Sequence, residues 1–435
     1  MLTVRRAASI FRSSMNRTGE RTPGAIPSAV TLSMLLLVAA FALGACQQRV
    51  PPAPPPQQAT PQATPPVTAA PTLPSVTDPT PGPIVTDDGR VRVALLLPLT
   101  GQNAALGRAM QSAAELALFD SGNEQFALVV RDTETPAGAA GAAQQAIAEG
   151  ASLILGPLFS TQVSQVAPIA HQAGVPVISF STDRSVAGSD IYVMGILPEL
   201  QVERVIRYAA TNGLQRFAAL VPNSAYGRTV VQALNLAAGG GTATVSSVEY
   251  YDTASTDLAP YVERIAAARD SYDALLIPEA GDRLRLIAPL LLFYNVDPAE
   301  KQILGTTLWA DTRLGSEPAL QGAWFAAPPL QSWERFEQRY RQLYGEPALR
   351  LGTLAYDATA LAAALARDAG PEAMAAGAIY DRATLTQTDG FAGVDGIFRF
   401  RLDGSVERGL AVMELQDGGI VTRDSAPGRF EDVIY

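Results

Sequence analysis

Val91-Arg92-Val93-Ala94-Leu95-Leu96-Leu97-Pro98-Leu99-Thr100-Gly101 decides how the chain folds. Its first seven residues form a nearly continuous apolar run, the pattern of a short strand buried on both faces in a parallel sheet. Pro98 and Gly101 supply a turn, and residues 107–119 then carry helical spacing through Met110, Ala114 and Leu118. The same strand-then-helix rhythm continues. Strands are expected at 126–130, 153–155, 175–180 and 191–197, with helices at 137–147 and from Ser160 to His171. It starts again downstream, with strands at 217–221, 245–250, 274–277, 303–306 and 323–326. Helices are expected at 198–211, 227–237, 258–269, 282–293, 333–344 and 353–367. Strands alternating with helices of this length build parallel sheets from βαβ units, and two successive runs predict two α/β lobes.

Upstream of residue 90 the chemistry is different. Residues 47–90 hold 13 prolines among Ala, Thr and Gln, a composition that stays extended and solvated and predicts a tether. At ~3.1 Å per residue such a tether reaches roughly 130 Å when fully extended. Before it, Arg5, Arg6, Arg12, Arg17 and Arg21 precede the apolar run 32–43, which ends in Leu43-Gly44-Ala45-Cys46. A basic head, a short apolar stretch and small residues before a cut describe an export signal. Leu-Gly-Ala-Cys resembles the lipobox of bacterial lipoproteins. The resemblance implies cleavage before Cys46, diacylglycerol on its thiol and a membrane anchor. With Gln47 after the cysteine, rather than Asp, it further implies the periplasmic side of the outer membrane. Cys46 is the only cysteine of the 435 residues, so no intrachain disulfide can form.

Composition narrows the function classes. Residues 1–45 hold five of the 32 basic residues and one of the 42 acidic ones, leaving 27 against 41, about −14, on residues 46–435. Such a surface repels phosphate backbones, so a nucleic-acid partner is not expected. A single His, His171, and a single Cys leave no His/Cys zinc set and no Cys–His pair. His171 falls on a helix tail, at the end opposite the expected cleft, and reads as a surface residue. No Gly-x-Ser-x-Gly elbow, Ser-x-x-Lys pair or phosphate-binding Gly-x-x-x-x-Gly-Lys loop occurs. No enzyme, cofactor or metal is therefore expected.

In open parallel sheets, ligands sit beyond the carboxyl ends of the strands, near helix N-termini. That rule singles out Thr100, Ser160 with Thr161, Ser181-Thr182-Asp183, Tyr226, and Thr306-Thr307 as cleft segments.

The order of several motifs resembles the type I periplasmic binding proteins, the group that includes leucine-binding proteins. They are residues 93–101 with Gly107, Leu155-Gly156-Pro157, residues 174–179, Tyr226-Gly227, Tyr356-Asp357-Ala358, and residues 391–396 with Phe398, Phe400 and Asp403-Gly404. The resemblance covers roughly residues 91–415. It implies two Rossmann-like lobes joined by three crossings, near 191–196, 323–328 and 387–391. The expected organisation is a signal over 1–45, a tether over 46–89, a first lobe from 90–195 and 328–388, and a second lobe from 196–327 and 389–435.

Within that resemblance Ser160 stands where a hydroxyl meets the ligand carboxylate, and Tyr226 where a tyrosine closes over the ligand. Other positions depart from an amino-acid site. Asp183 stands where a small hydroxyl would serve, and Thr307 falls where the ammonium-binding acid belongs; Glu279 is the anion available to replace that acid. Residues 96–107 and 180–188 also look like penicillin-binding-protein activator lipoproteins. That similarity implies a regulator of a peptidoglycan synthase, with a small polar ligand in the cleft. The best-known activators carry a helical-repeat domain where this chain has its proline-rich tether. The alternative implied by the same fold is a solute-binding protein of an ABC importer for branched-chain amino acids or a related small polar solute.

Overall fold

The computed structural model describes residues 89–241, 243–310 and 312–432. Cys46, the signal and the tether lie outside these residues.

The first lobe opens with β1 (Val91–Leu97), α1 (Ala104–Ser121), β2 (Phe126–Asp132), α2 (Gly138–Ala148), β3 (Leu153–Leu155), α3 (Ser160–Ala173), β4 (Val177–Ser179) and β5 (Ile191–Val193). All neighbouring strands are parallel, in the order β2-β1-β3-β4-β5. The apolar run of β1 divides by alternation. Val91, Val93, Leu95 and Leu97 enter one core with residues of α1, while Ala94 and Leu96 enter another with Ala139, Ala143, Val163 and Val166 of α2 and α3. A strand that feeds two helical layers cannot afford a polar face, which is why its sequence does not alternate.

The chain then crosses to the second lobe: α4 (Pro198–Thr211), β6 (Arg216–Pro222), α5 (Ala225–Gly239), β7 (Thr244–Tyr251), α6 (Ala259–Ala267), β8 (Ala274–Leu276), α7 (Gly281–Phe293), β9 (Gln302–Gly305) and β10 (Trp324–Ala327). The same division recurs on β6, where Phe217, Ala219 and Val221 serve one core and Ala218 and Leu220 the other. Both lobes use one device at the first strand-to-helix turn. Gly107 and Gly227 lie so close to the carbonyls of Pro98 and Pro222 that an added Cβ would sit 2.0 and 1.9 Å from the oxygens.

The chain returns to the first lobe as α8 (Leu330–Tyr344), α9 (Gly352–Asp368), α10 (Pro371–Ala376) and α11 (Arg382–Leu385). It continues as β11 (Phe391–Gly393), β12 (Gly396–Phe400) and β13 (Val406–Arg408), an antiparallel three-stranded sheet. This sheet corrects the expected boundary at 389 and the expected third crossing at 387–391. Phe398, Phe400 and Val406 belong to the first-lobe core, Phe400 packs 5.2 Å from Tyr192, and Val193 N–H donates to Gly404 O at 2.8 Å. The inward face of the segment is thus already satisfied on the first lobe. The crossing falls at Gly409, since Leu410 and Ala411 enter second-lobe cores.

The chain ends on the second sheet with β14 (Ala411–Gln416) and β15 (Gly419–Asp424), giving the order β15-β14-β10-β9-β8-β6-β7. β14 enters directly from the crossing, with no helix between, and runs antiparallel to β10; the hairpin that follows adds β15 antiparallel to β14, so this sheet is mixed. Among the described residues no helix is long and apolar enough to cross a membrane, and no group of three or more His, Cys, Asp or Glu is placed to hold a metal ion.

Candidate functional site

The carboxyl ends of the two sheets carry the residues singled out by sequence, and their hydrogen bonds divide them into committed and available groups. On the first lobe Thr100 is committed. Its hydroxyl donates to Asp132 Oδ2 at 2.7 Å, while Asp132 Oδ1 accepts Leu99 N–H at 2.9 Å and Glu134 N–H at 3.0 Å. Burial pushes the Asp132 pKa upward, but these hydrogen bonds outweigh it and hold the pKa below the ordinary value.

Ser160 is the first residue of α3. Its hydroxyl adds a small pull that lowers the Asp183 pKa, and Asp183 Oδ1 accepts the Ser185 hydroxyl at 2.6 Å and its N–H at 2.9 Å. The Ser185 hydroxyl, against opposing burial, leads in holding Asp183 below its ordinary pKa. Ser181 is buried and structural, accepting Asp183 N–H at 3.0 Å. Thr161 and Thr182 are exposed.

Sequence reading missed Asp132, Thr133, Glu134 and Gln162. Gln162, on the first turn of α3, donates Nε2–H to Glu134 Oε1 at 2.8 Å. Its own Oε1 and the Thr133 hydroxyl are buried without a hydrogen-bond partner. The strand-end rule already applied to β1, β3 and β4 would have found Asp132 and Thr133 at the end of β2.

On the second lobe the structure brings Tyr226, Thr306 and Glu279 together. The Tyr226 hydroxyl lies 3.4 Å from Thr306 Oγ1. Burial chiefly raises its pKa; the Thr306 bond works against that and the Glu279 charge adds to it. Glu279 accepts the Tyr251 hydroxyl and Ala280 N–H and stands 3.7 Å from Arg283 Nε. Burial and then the Glu279 bond push the Tyr251 pKa strongly upward, so this phenol stays protonated and donates. Trp309 Nε1–H donates to the Glu279 carbonyl at 2.9 Å. Thr307 is tied down elsewhere. Its hydroxyl donates to Ala326 O at 2.8 Å, and its N–H donates to Gln201 Oε1 at 2.9 Å, while Gln201 Nε2–H reaches Ile196 O beside the first crossing. Sequence reading also missed Tyr251, at the end of β7, and Arg283.

His171 is exposed on α3, with Nδ1 2.6 Å from Asp190 Oδ2.

Two α/β lobes crossed three times, with polar side chains gathered at the strand ends of both sheets, define a class of bilobed ligand-binding proteins. The family comparison agrees: the profile of the periplasmic binding protein family matches residues 90–419, and the chain belongs to that family. A putative branched-chain amino acid ABC transporter from Rhodospirillum rubrum has the same fold, with a TM-score of 0.67 and 21% identity over 77% of this chain and 99% of that one. The branched-chain amino acid transporter substrate binding protein of Streptococcus pneumoniae, solved with isoleucine, gives a TM-score of 0.58 at 19% identity over 78% of this chain and 100% of that one. An uncharacterized protein of Rickettsia prowazekii is 22% identical over 215 residues, which span 48% of this chain and 58% of that relative.

Proposed function

We propose that this protein is a lipid-anchored periplasmic ligand carrier, binding a small polar solute between its lobes for an ABC importer. It binds its ligand without transforming it. The reading rests on the family and on one observation above all: the polar arrays at the strand ends of both lobes are rich in acceptors. Gln162 Oε1 and the Thr133 hydroxyl lack partners, Glu134 stands beside Gln162, Asp183 adds a further carboxylate on the same lobe, and Glu279 accepts the Tyr251 hydroxyl on the second lobe. A buried acceptor without a partner costs about 1–3 kcal/mol, so a ligand that donates hydrogen bonds relieves it.

A zwitterionic amino acid is a poorer match. Of the hydroxyls that would receive its carboxylate, Thr100 already serves Asp132, and Ser160 lies within the influence of Asp183. These two aspartates repel a ligand carboxylate. The solute favoured is cationic or neutral and donor-rich.

Thermal unfolding of the full-length protein in detergent tests this. Putrescine or ribose at 100 times its dissociation constant should stabilise the fold by ~2.7 kcal/mol. Tyr226→Ala should abolish the shift. A shift with leucine that exceeds both would return the protein to the branched-chain amino acid carriers.

A second reading, activation of a peptidoglycan synthase, is favoured by the 13-proline tether, long enough to hold the folded part away from an outer membrane. Silence toward every solute together with capture of a penicillin-binding synthase by the full-length protein would establish it. The anchor itself is tested by metabolic labelling with palmitate. Cys46→Ala should remove the label and release the protein from the membrane fraction; label retained in the variant would overturn the assignment.

A further inference from the structure

A cavity of about 460 Å³ opens on the first lobe between α1, α8, α9 and β11. Its wall includes Asp120, the penultimate residue of α1, whereas Thr100 precedes the other end of that helix. An 18-residue helix is ~27 Å long, so this cavity is separate from the strand-end site.

Its electrostatics are asymmetric. Arg339 pairs with Asp120, which also accepts the Tyr356 hydroxyl at 2.9 Å. Those charges cancel. Asp357 forms part of the floor, almost fully buried, and its two oxygens accept Val394 and Asp395 N–H at 2.7 and 3.2 Å. Gly393 lies against it so closely that a Cβ would fall 2.3 Å from Oδ2, which leaves bare backbone in the wall. Arg335, one helical turn before Arg339, makes no ion pair among the described residues and donates a hydrogen bond to Ser332 Oγ at 3.3 Å. It is a cation without a counter-ion at the cavity. Phe336 and Tyr356, with ring centroids 5.2 Å apart, give the same cavity an aromatic wall.

We propose that this cavity is a second ligand site, which takes a small organic monocarboxylate with a ring-sized apolar body. The carboxylate meets Arg335, whose planar fork suits two parallel hydrogen bonds, and the body lies along Phe336 and Tyr356. Arg335 is the one lining cation with no carboxylate of its own, and it suits a monoanion; Asp357, in the floor, is engaged by Val394 and Asp395 N–H and by the Arg408 charge. A phosphate dianion would need a second free cation, and Arg339 is already neutralised. The volume lies within the ~300–1,000 Å³ of small-molecule sites.

Phenylacetate is the probe, titrated calorimetrically into the full-length protein in detergent, with benzyl alcohol and phenyl phosphate as comparisons. Phenylacetate should bind, and the other two should bind more weakly. Arg335→Gln, an exposed position, should weaken phenylacetate by about tenfold or more, with Arg335→Lys recovering part of the loss. Ala360→Leu, which fills the cavity from α9, should abolish binding. The proposal is overturned by absence of heat with phenylacetate, by phenyl phosphate binding more tightly, or by either Arg335→Gln or Ala360→Leu leaving the affinity intact. The last result would place the ligand elsewhere, the strand-end site included.

Discussion

Arg408→Met should destabilise the fold by about 3–5 kcal/mol, and the loss should be greater at pH 8 than at pH 5. Arg408 is 4% exposed at the end of β13, and its Nη2–H donates to Met194 O at 2.7 Å, joining the third crossing to the first. Its guanidinium lies 5.2 Å from the Phe398 ring and shares its surroundings with two buried carboxylates, Asp357 and Asp395. Asp395 is also held by the Thr353 hydroxyl at 2.6 Å and by Arg350 at 3.1 Å. The cluster is thus two buried acids and two guanidinium groups, Arg408 buried with them and Arg350 about a quarter exposed. Methionine would satisfy the packing on Phe398 but take from Asp357 the cation that opposes its burial and leave Asp395 to Arg350 alone, and removing one partner of a buried ion pair is strongly destabilising.

The pH dependence follows from Asp357. Burial, with the Asp395 charge second, pushes its pKa from 3.8 to about 7, against the opposing pull of Val394 N–H and Arg408. The native state therefore keeps a proton that the unfolded chain releases above pH 3.8. This group's contribution to stability falls as pH rises toward 7 and is constant beyond. At pH 5 a protonated Asp357 needs Arg408 least; at pH 8 its carboxylate needs it most. Urea unfolding at the two pH values decides the matter. An equal loss at both would mean that Arg408 acts through packing and the Met194 bond alone, and no loss would mean that the charges are not coupled to stability.

Sequence reading located the strands well because a parallel sheet covered on both sides writes itself as short apolar runs. Val93 to Leu97 and Phe217 to Val221 needed no tertiary knowledge. The last part of the chain was harder for a definite reason. Phe398 and Phe400 alternate as strand residues do, but alternation says only that one face is buried, not which lobe buries it; that depends on Tyr192 and the Gly404 turn, distant in sequence or bent by local geometry. The mixed character of the second sheet was hidden likewise, since β14 shows the same apolar run whichever way it points. At the candidate site, the strand-end rule found positions but not their commitments. Thr100 reads as a ligand hydroxyl until Asp132, 32 residues on, accepts its hydrogen bond, and Thr307 until Ala326 O and Gln201 occupy both of its donors. Partners this far apart leave no local spacing to read.

Trp309→Ala should cost about 3–5 kcal/mol and also disable the second lobe's half of the strand-end site. Trp309 is fully buried in a core with Leu314, Leu320 and Phe325. Its ring lies over Gly305, where a Cβ would come within 2.2 Å of it. Truncation to alanine therefore opens a large void under the end of β9, which the surrounding core can only partly collapse into. The consequence for binding runs through one hydrogen bond, from the indole N–H to the Glu279 carbonyl, which fixes the backbone beneath the carboxylate that Tyr251 and Arg283 engage. Trp309→Phe separates the two roles, because phenylalanine fills most of the space but cannot donate. It should cost much less stability than alanine while leaving the Glu279 carbonyl buried and unpaired, a penalty of about 1–3 kcal/mol that moving the Glu279 backbone would relieve. Affinity for the cleft ligand should then fall further in Trp309→Phe than its melting temperature suggests, whereas a variant of comparable stability loss remote from β9 should bind normally. If Trp309→Phe and that remote variant bound the ligand alike, Trp309 would be a core residue and nothing more, and the placement of Glu279 would have to come from Tyr251 and Arg283 alone.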